Sequence, residues 1–183
     1  MTQPTRLFLI GYRGSGKSTV ARLLAERLGW SWVDADDELE REAGRTIAEI
    51  FAADGEPAFR DLEEQVVARL CGADQTVVAL GGGAILRQAN RERLAESGPV
   101  VWLTAPAGVL AERITADQTT GDRRPSLTGA GVTQEIEQVL AARTPLYQAC
   151  ATLTVEVADR TPAEVAEEIA GQIGPPAGRS HTT

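Results

Sequence analysis

Leu7-Phe8-Leu9-Ile10-Gly11-Tyr12-Arg13-Gly14-Ser15-Gly16-Lys17-Ser18-Thr19 decides how the rest of the chain is read. Four apolar residues in a row fit a strand buried on both faces, and they run straight into G-x-x-x-x-G-K-S. Val20, Leu23, Leu24 and Leu28 then form one apolar stripe that stops at Gly29, a natural residue to follow a helix end. The order is therefore strand, glycine loop, helix. In that setting the glycines let backbone N–H groups curl around phosphate oxygens, and the helix aims its positive end at the same anion. Lys17 supplies a compact charge to the β- and γ-phosphates, and the Ser18 hydroxyl is a direct ligand for Mg²⁺. Gly14, Ser15, Gly16, Lys17, Ser18 and Thr19 are thus the expected ATP contacts.

Composition sharpens the role of that lysine. Of the 18 basic residues in 183, 17 are arginine and one is Lys17; the single histidine is His181 and the single methionine is Met1. No histidine lies in the body of the chain to act as base, metal ligand or triad member. Arginine serves at every other basic position, so lysine stands where a planar, forked guanidinium fits poorly and a point charge on a flexible stem fits well. The formal charge of −8 argues against a nucleic-acid or anionic-membrane surface. Cys71 and Cys150 have no CxxC spacing and read as two small buried or half-buried thiols. No segment is long and apolar enough for a membrane span or a signal peptide, and the expected location is the cytoplasm.

Outward from the loop, short apolar runs at 7–10, 31–33, 76–80, 100–103 and 152–157 read as five strands separated by helical patterns. Thr46–Glu49 and Thr161–Glu164 each spell a capping box, the second with Pro162 at the first helical position. Phe59, Leu62, Val66 and Leu70 make a further stripe after an Asp54-Gly55 turn. Alternation of this kind implies right-handed crossovers, hence an α/β three-layer sandwich with a five-stranded parallel sheet flanked by helices. One domain is expected over 1–173, with a polar, glycine-containing lid at about 115–131 and a flexible tail at 174–183.

Guanine recognition through N-K-x-D needs a second lysine and is excluded. The length suits a small kinase that moves the γ-phosphate of ATP to a small acceptor. Asp34-Ala35-Asp36, the stretch Gly44-Arg45-Thr46-Ile47-Ala48-Glu49-Ile50-Phe51, Asp54-Gly55-Glu56, Phe59-Arg60, Gly81-Gly82-Gly83, Arg124-Pro125 and Arg143-Thr144-Pro145-Leu146-Tyr147 follow in turn. Together with the phosphate loop, this series resembles shikimate kinase in order and approximate spacing over roughly residues 6 to 173. The resemblance implies ATP-dependent phosphorylation of the 3-hydroxyl of shikimate, on the route to aromatic amino acids, with one Mg²⁺ per subunit.

Residue by residue, the resemblance makes Asp36 the contact to the acceptor hydroxyl and candidate base, with Asp34 supporting Mg²⁺ through water. An extended segment would turn both carboxylates to one face. Arg60, oriented by Glu63, and Arg143 become two clamps on the substrate carboxylate, and Gly82 a backbone contact to the substrate. Arg124 reaches the transferring phosphate, with Arg123 beside it as the alternative. Arg113 and Arg160 fall on the adenine side. The expected partners are ATP and shikimate, with no nucleic acid and no membrane, and the expected state is a monomer. A gluconate or nucleoside monophosphate kinase would share the loop but lack the set Asp36, Arg60, Gly82 and Arg143. A nucleotide-binding module without catalysis would have no use for the acceptor-side arginines.

Overall fold

The computed structural model describes residues 5–116 and 131–173. Most of the expected lid, including Arg123, Arg124 and Pro125, and the expected tail at 174–183 lie outside the described residues.

Five strands form one parallel sheet: β1 (Arg6–Ile10), β2 (Ser31–Asp34), β3 (Thr76–Ala79), β4 (Val100–Thr104) and β5 (Leu153–Glu156). Their spatial order is β2-β3-β1-β4-β5. Each lies within two residues, at either end, of the run that predicted it. The central strand shows why β1 reads as an unbroken apolar run. Leu7 and Leu9 pack into one core with α1 (Lys17–Leu28), α5 (Ala107–Ala116) and α7 (Pro162–Ile173). Phe8 and Ile10 pack into a second core on the other face, with α2 (Ala35–Ala43), α3 (Ile47–Leu70) and α4 (Gln88–Ser97). Alternate side chains point to opposite faces and both faces are covered, so every position must be apolar. The remaining helix, α6 (Val132–Cys150), contributes Ile136 to the first core and Tyr147 and Cys150 to the second.

Local signals place the helix ends. Gly29 ends α1 at φ 69°, a left-handed position where glycine carries no Cβ penalty. Thr46 and Glu49 form the expected capping box at the start of α3, and Thr161 and Glu164 exchange the same bonds before α7. Gly55, at φ 80° and ψ 177°, breaks α3 and lets Pro57 begin a second helical segment two residues later. That kink separates the capped first half from the half that carries Phe59 and Arg60. Both thiols are free, Cys150 buried and Cys71 half-buried, as their spacing implied.

Leu9 pairs with Ala79, and Leu80 donates its N–H to the Leu9 carbonyl at 3.0 Å. The glycine loop after β1 and the triple glycine after β3 therefore leave the sheet side by side, at the rim where open α/β sheets hold ligands. None of the described helices is long and apolar enough to cross a membrane.

Candidate active site

The loop at residues 11–16 is shaped by three glycines with positive φ, Gly11 at 144°, Gly14 at 81° and Gly16 at 86°. Space is as restrictive as torsion. A Cβ on Gly11 would lie 2.4 Å from the Leu103 carbonyl oxygen, and one on Gly14 would lie 3.0 Å from Ile114 and 3.2 Å from the Leu110 carbonyl. Lys17, the first residue of α1, folds its ammonium over the loop and donates to the carbonyls of Gly11 (2.9 Å) and Tyr12 (3.0 Å). Ser15 is buried, whereas Thr19 is exposed on α1.

Ser18 donates to Asp34 Oδ2 at 2.5 Å. The structure changes the expected geometry of the acidic pair. Asp34 ends β2 and caps α2, accepting the Asp36 N–H at 2.9 Å, and Asp36 already stands in the first turn of that helix. The two carboxylates are neighbours through a helix cap and not through alternation on a strand. Short acidic residues compete for the first free amides of a helix, so the strand stops where the cap forms. Burial pushes the Asp34 carboxyl above the ordinary carboxylate range, and the charges of Asp36 and Asp37 add to this. The bonds from Ser18 and the Asp36 amide oppose it. A carboxylate in that setting gains strongly from a nearby cation.

Arg60 is only 8% exposed and Glu63 3%, so this is not an ordinary exposed helix pair. Arg60 donates to Glu63 at 2.6 Å and, through Nε and the second terminal nitrogen, to Glu56 at 3.2 and 3.1 Å. Its guanidinium also lies 5.0 Å from the centre of the Phe59 ring. Burial disfavours the charged form, but Glu63 and Glu56 outweigh it and the pKa lies above the usual guanidinium value. Glu64, the next residue on the helix, pairs with Arg87 and Arg93 instead. The glycine after β3 meets this cation directly, since a Cβ on Gly83 would fall 2.4 and 2.5 Å from its two terminal nitrogens. Only the absent side chain leaves that edge open.

Gly82 is buried between the two halves of the site. A Cβ there would lie 3.3 Å from the Gly11 carbonyl oxygen and 3.5 Å from the Arg13 nitrogen. Its own carbonyl accepts from Arg143 at 3.2 Å and from the Tyr147 hydroxyl at 2.6 Å. The Arg143 guanidinium is 6.0 Å from the centre of the Tyr12 ring. Arg60, Gly82 and Arg143 are thus brought to one place, against the opening of the phosphate loop. On the loop's other flank a cavity of about 240 Å³ is lined by Gly14, Ser15, Gly16, Arg113, Arg160 and Pro162, among others. Arg113 is held there by the carbonyls of Val157 (2.8 Å) and Ala158 (3.2 Å), and Arg160 by Glu168 and the Glu164 carbonyl.

Three contributors carried no assigned role in the sequence. Glu56, Gly83 and Tyr147 stood only inside quoted motifs. The signal for Tyr147 was its i+4 spacing from Arg143, which puts both on one helical face. The same spacing links Glu56 to Arg60.

A glycine loop with one lysine, a cavity on one side and paired arginines on the other describe a phosphotransferase of the P-loop kinase fold. Comparisons with known proteins narrow that class. The family model described as "Shikimate kinase" matches residues 13–174. The shikimate kinase of Rhodopirellula baltica is 48% identical over 167 residues, covering 91% of this chain and 89% of the relative. A solved shikimate kinase from Acinetobacter baumannii, in complex with shikimate, superposes with a TM-score of 0.86 at 37% identity and 93% coverage of both chains. A gluconokinase from Sinorhizobium meliloti, 21% identical, has a TM-score of 0.59 over 94% of this chain and 93% of its own, a likeness of fold alone. This chain belongs to the shikimate kinase family, ATP-dependent phosphotransferases that act on an alcohol group.

Proposed function

We propose that the chain transfers the γ-phosphate of ATP to the 3-hydroxyl of shikimate, giving 3-phosphoshikimate and ADP, with roles assigned as follows. Gly14, Ser15, Gly16, Lys17, Ser18 and Thr19 hold the phosphates, and the cavity beside Arg113 and Arg160 takes the adenine. Arg60 and Arg143 clamp the substrate carboxylate, and Gly82 contacts the substrate through its backbone. Asp36 orients the acceptor hydroxyl. As that oxygen forms its bond to the γ-phosphorus, the bond from phosphorus to the β–γ bridging oxygen breaks, ADP leaves, and the hydroxyl proton passes to Asp36. Phosphoryl transfer through a loose transition state depends on positioning more than on a strong base. A carboxylate is therefore adequate in a chain whose one histidine is His181. Arg124 of the lid, or Arg123, is assigned to the transferring phosphate.

The hydroxyl of Ser18 and the carboxylate of Asp34 are hard oxygen donors 2.5 Å apart, a set that suits Mg²⁺. In this reading Ser18 binds one Mg²⁺ per subunit directly and Asp34 holds it through water. When bound, the ion supplies charge neutralisation at the β- and γ-phosphates. The elevated pKa of Asp34 supports a cation at this position. We further place the enzyme in the cytoplasm as a monomer, acting on small ligands and not on nucleic acid or membrane, in keeping with its formal charge of −8.

One observation carries the acceptor assignment: Arg60 and Arg143 converge on residues 82–83, directly beside the start of the phosphate loop. Two cations there favour an acceptor that carries an anionic group, such as a carboxylate. The test is ADP release by the purified protein with ATP and Mg²⁺ on addition of shikimate, gluconate or a nucleoside monophosphate. Strong stimulation by shikimate is expected. Stimulation by gluconate or a monophosphate alone would assign a different acceptor, and none by any acceptor would leave a nucleotide-binding module.

A further inference from the structure

We infer that Tyr147 is a positioning residue for the acceptor: its hydroxyl fixes the Gly82 carbonyl and so sets the gap between the Arg60 and Arg143 clamps. The inference rests on the assignment of Arg60, Gly82 and Arg143 to acceptor binding. Three observations carry it. The Tyr147 hydroxyl, on a residue with no exposed surface, donates to the Gly82 carbonyl at 2.6 Å. Arg143, one helical turn earlier, donates to the same oxygen at the longer distance of 3.2 Å. Gly82 is wedged against the phosphate loop on one side and is followed by Gly83, whose missing side chain leaves the Arg60 guanidinium its room.

The chemistry follows from who can satisfy that carbonyl. A buried carbonyl demands a donor. With Tyr147 in place, Arg143 makes only a long bond to it, and among the described residues its other N–H groups make no hydrogen bond, leaving them to an anion. Without the hydroxyl, Gly82 would draw on Arg143 alone, pulling the guanidinium away from the substrate and loosening the 82–83 peptide beside Arg60. The Trp102 ring packs against the phenol, stacked on that of Tyr147 with centroids 5.5 Å apart and planes 14° apart. The hydroxyl therefore acts through Gly82 and Arg143 without touching the substrate. The nucleotide side, built from residues 14–19 and the Arg113–Arg160 cavity, does not include this bond.

The variant Tyr147→Phe removes the hydroxyl and keeps the ring. It should raise the KM for shikimate about tenfold, the order expected for one lost hydrogen bond at a buried acceptor. It should leave the KM for ATP unchanged and kcat within about threefold. Trp102→Phe is the packing control and should lower the melting temperature while changing the KM for shikimate less than twofold. An unchanged KM for shikimate in Tyr147→Phe would overturn the inference, as would a parallel rise in both KM values. Failure of the wild-type protein to use shikimate would instead overturn the acceptor assignment itself. If Tyr147→Phe does not fold, NMR of the wild-type protein answers the same question. The Tyr147 hydroxyl proton should exchange slowly and stay close to Gly82 with and without shikimate, and its release on adding shikimate would overturn the inference.

Discussion

The phosphate loop and the acceptor side solve the same problem, holding an anion, by opposite means. The loop is contiguous, eight residues from Gly11 to Ser18, and works through backbone shape and one side chain, Lys17. The proposed acceptor side is assembled from α2, α3, the turn after β3 and α6, and in that reading works through long cationic side chains that others must steer: Glu56 and Glu63 for Arg60, Tyr147 for the loop that faces Arg143. Backbone recognition is set by torsion and sterics inside one short segment. Side-chain recognition carries rotamer entropy and needs supporting partners. The first is therefore written in one motif and the second is spread over the fold.

Substitutions can break that contrast at graded cost. Lys17→Arg should lower kcat about a thousandfold, the scale seen when a charge aimed at a transition state is lost. Near-normal turnover would show that the loop accepts any cation and that the singular lysine is incidental. Arg60→Ala should raise the KM for shikimate about a hundredfold and cost about 3 kcal/mol of stability, because Glu63 would lose its buried counter-charge. Kinetics combined with urea denaturation measures both, and an unchanged KM would return Arg60 to a structural role.

Gly83→Ala puts a methyl against the guanidinium without torsional strain, since Gly83 has φ −104°. It should raise the KM for shikimate about tenfold with the ATP side untouched. A rise in both constants would mean that the two regions are not separable. The smallest effect concerns Asp34, whose folded pKa lies above its ordinary value. Its ionised form is disfavoured in the native state, so the stability it contributes is present at low pH and lost as pH rises through that raised value. Without Mg²⁺ or nucleotide, Asp34→Asn, which keeps the helix cap, should be more stable than wild type at neutral pH. The gain should fade as pH falls from above that raised value to the ordinary carboxylate value, and a gain constant with pH would refute it.

What the sequence made legible divides along the same line. The central strands were readable because a parallel sheet covered on both faces requires nearly unbroken apolar runs, as Phe8 and Leu9 on opposite cores illustrate, whereas the edge strands β2 and β5 carry shorter or alternating apolar patterns. The phosphate loop was readable because its constraints are local. Arg60 was ambiguous on its own helix, where pairing with Glu63 or Glu64 looks alike; burial at 8% exposure is decided by Gly83 and the second core, far away in sequence. Tyr147 was invisible as a hydrogen-bond donor because its acceptor lies 65 residues away. The expected alternation of Asp34 and Asp36 failed because the extended segment was carried two residues too far, past the point where Asp34 caps α2.

The pairing of Leu9 with Ala79 has a consequence for anyone who would rebuild this enzyme. The loops proposed to hold donor and acceptor spring from adjacent strands about 4.8 Å apart, so in that reading the sheet serves as a ruler between the two reactants. One residue added to either strand would shift its loop by about 3.3 Å and turn its side chains to the wrong face. The acceptor can therefore be redesigned on the faces of α3 and α6, by exchanging what stands at positions 60, 143 and 147. The number of residues between Ile10 and Gly14, and between Ala79 and Gly83, has to be kept.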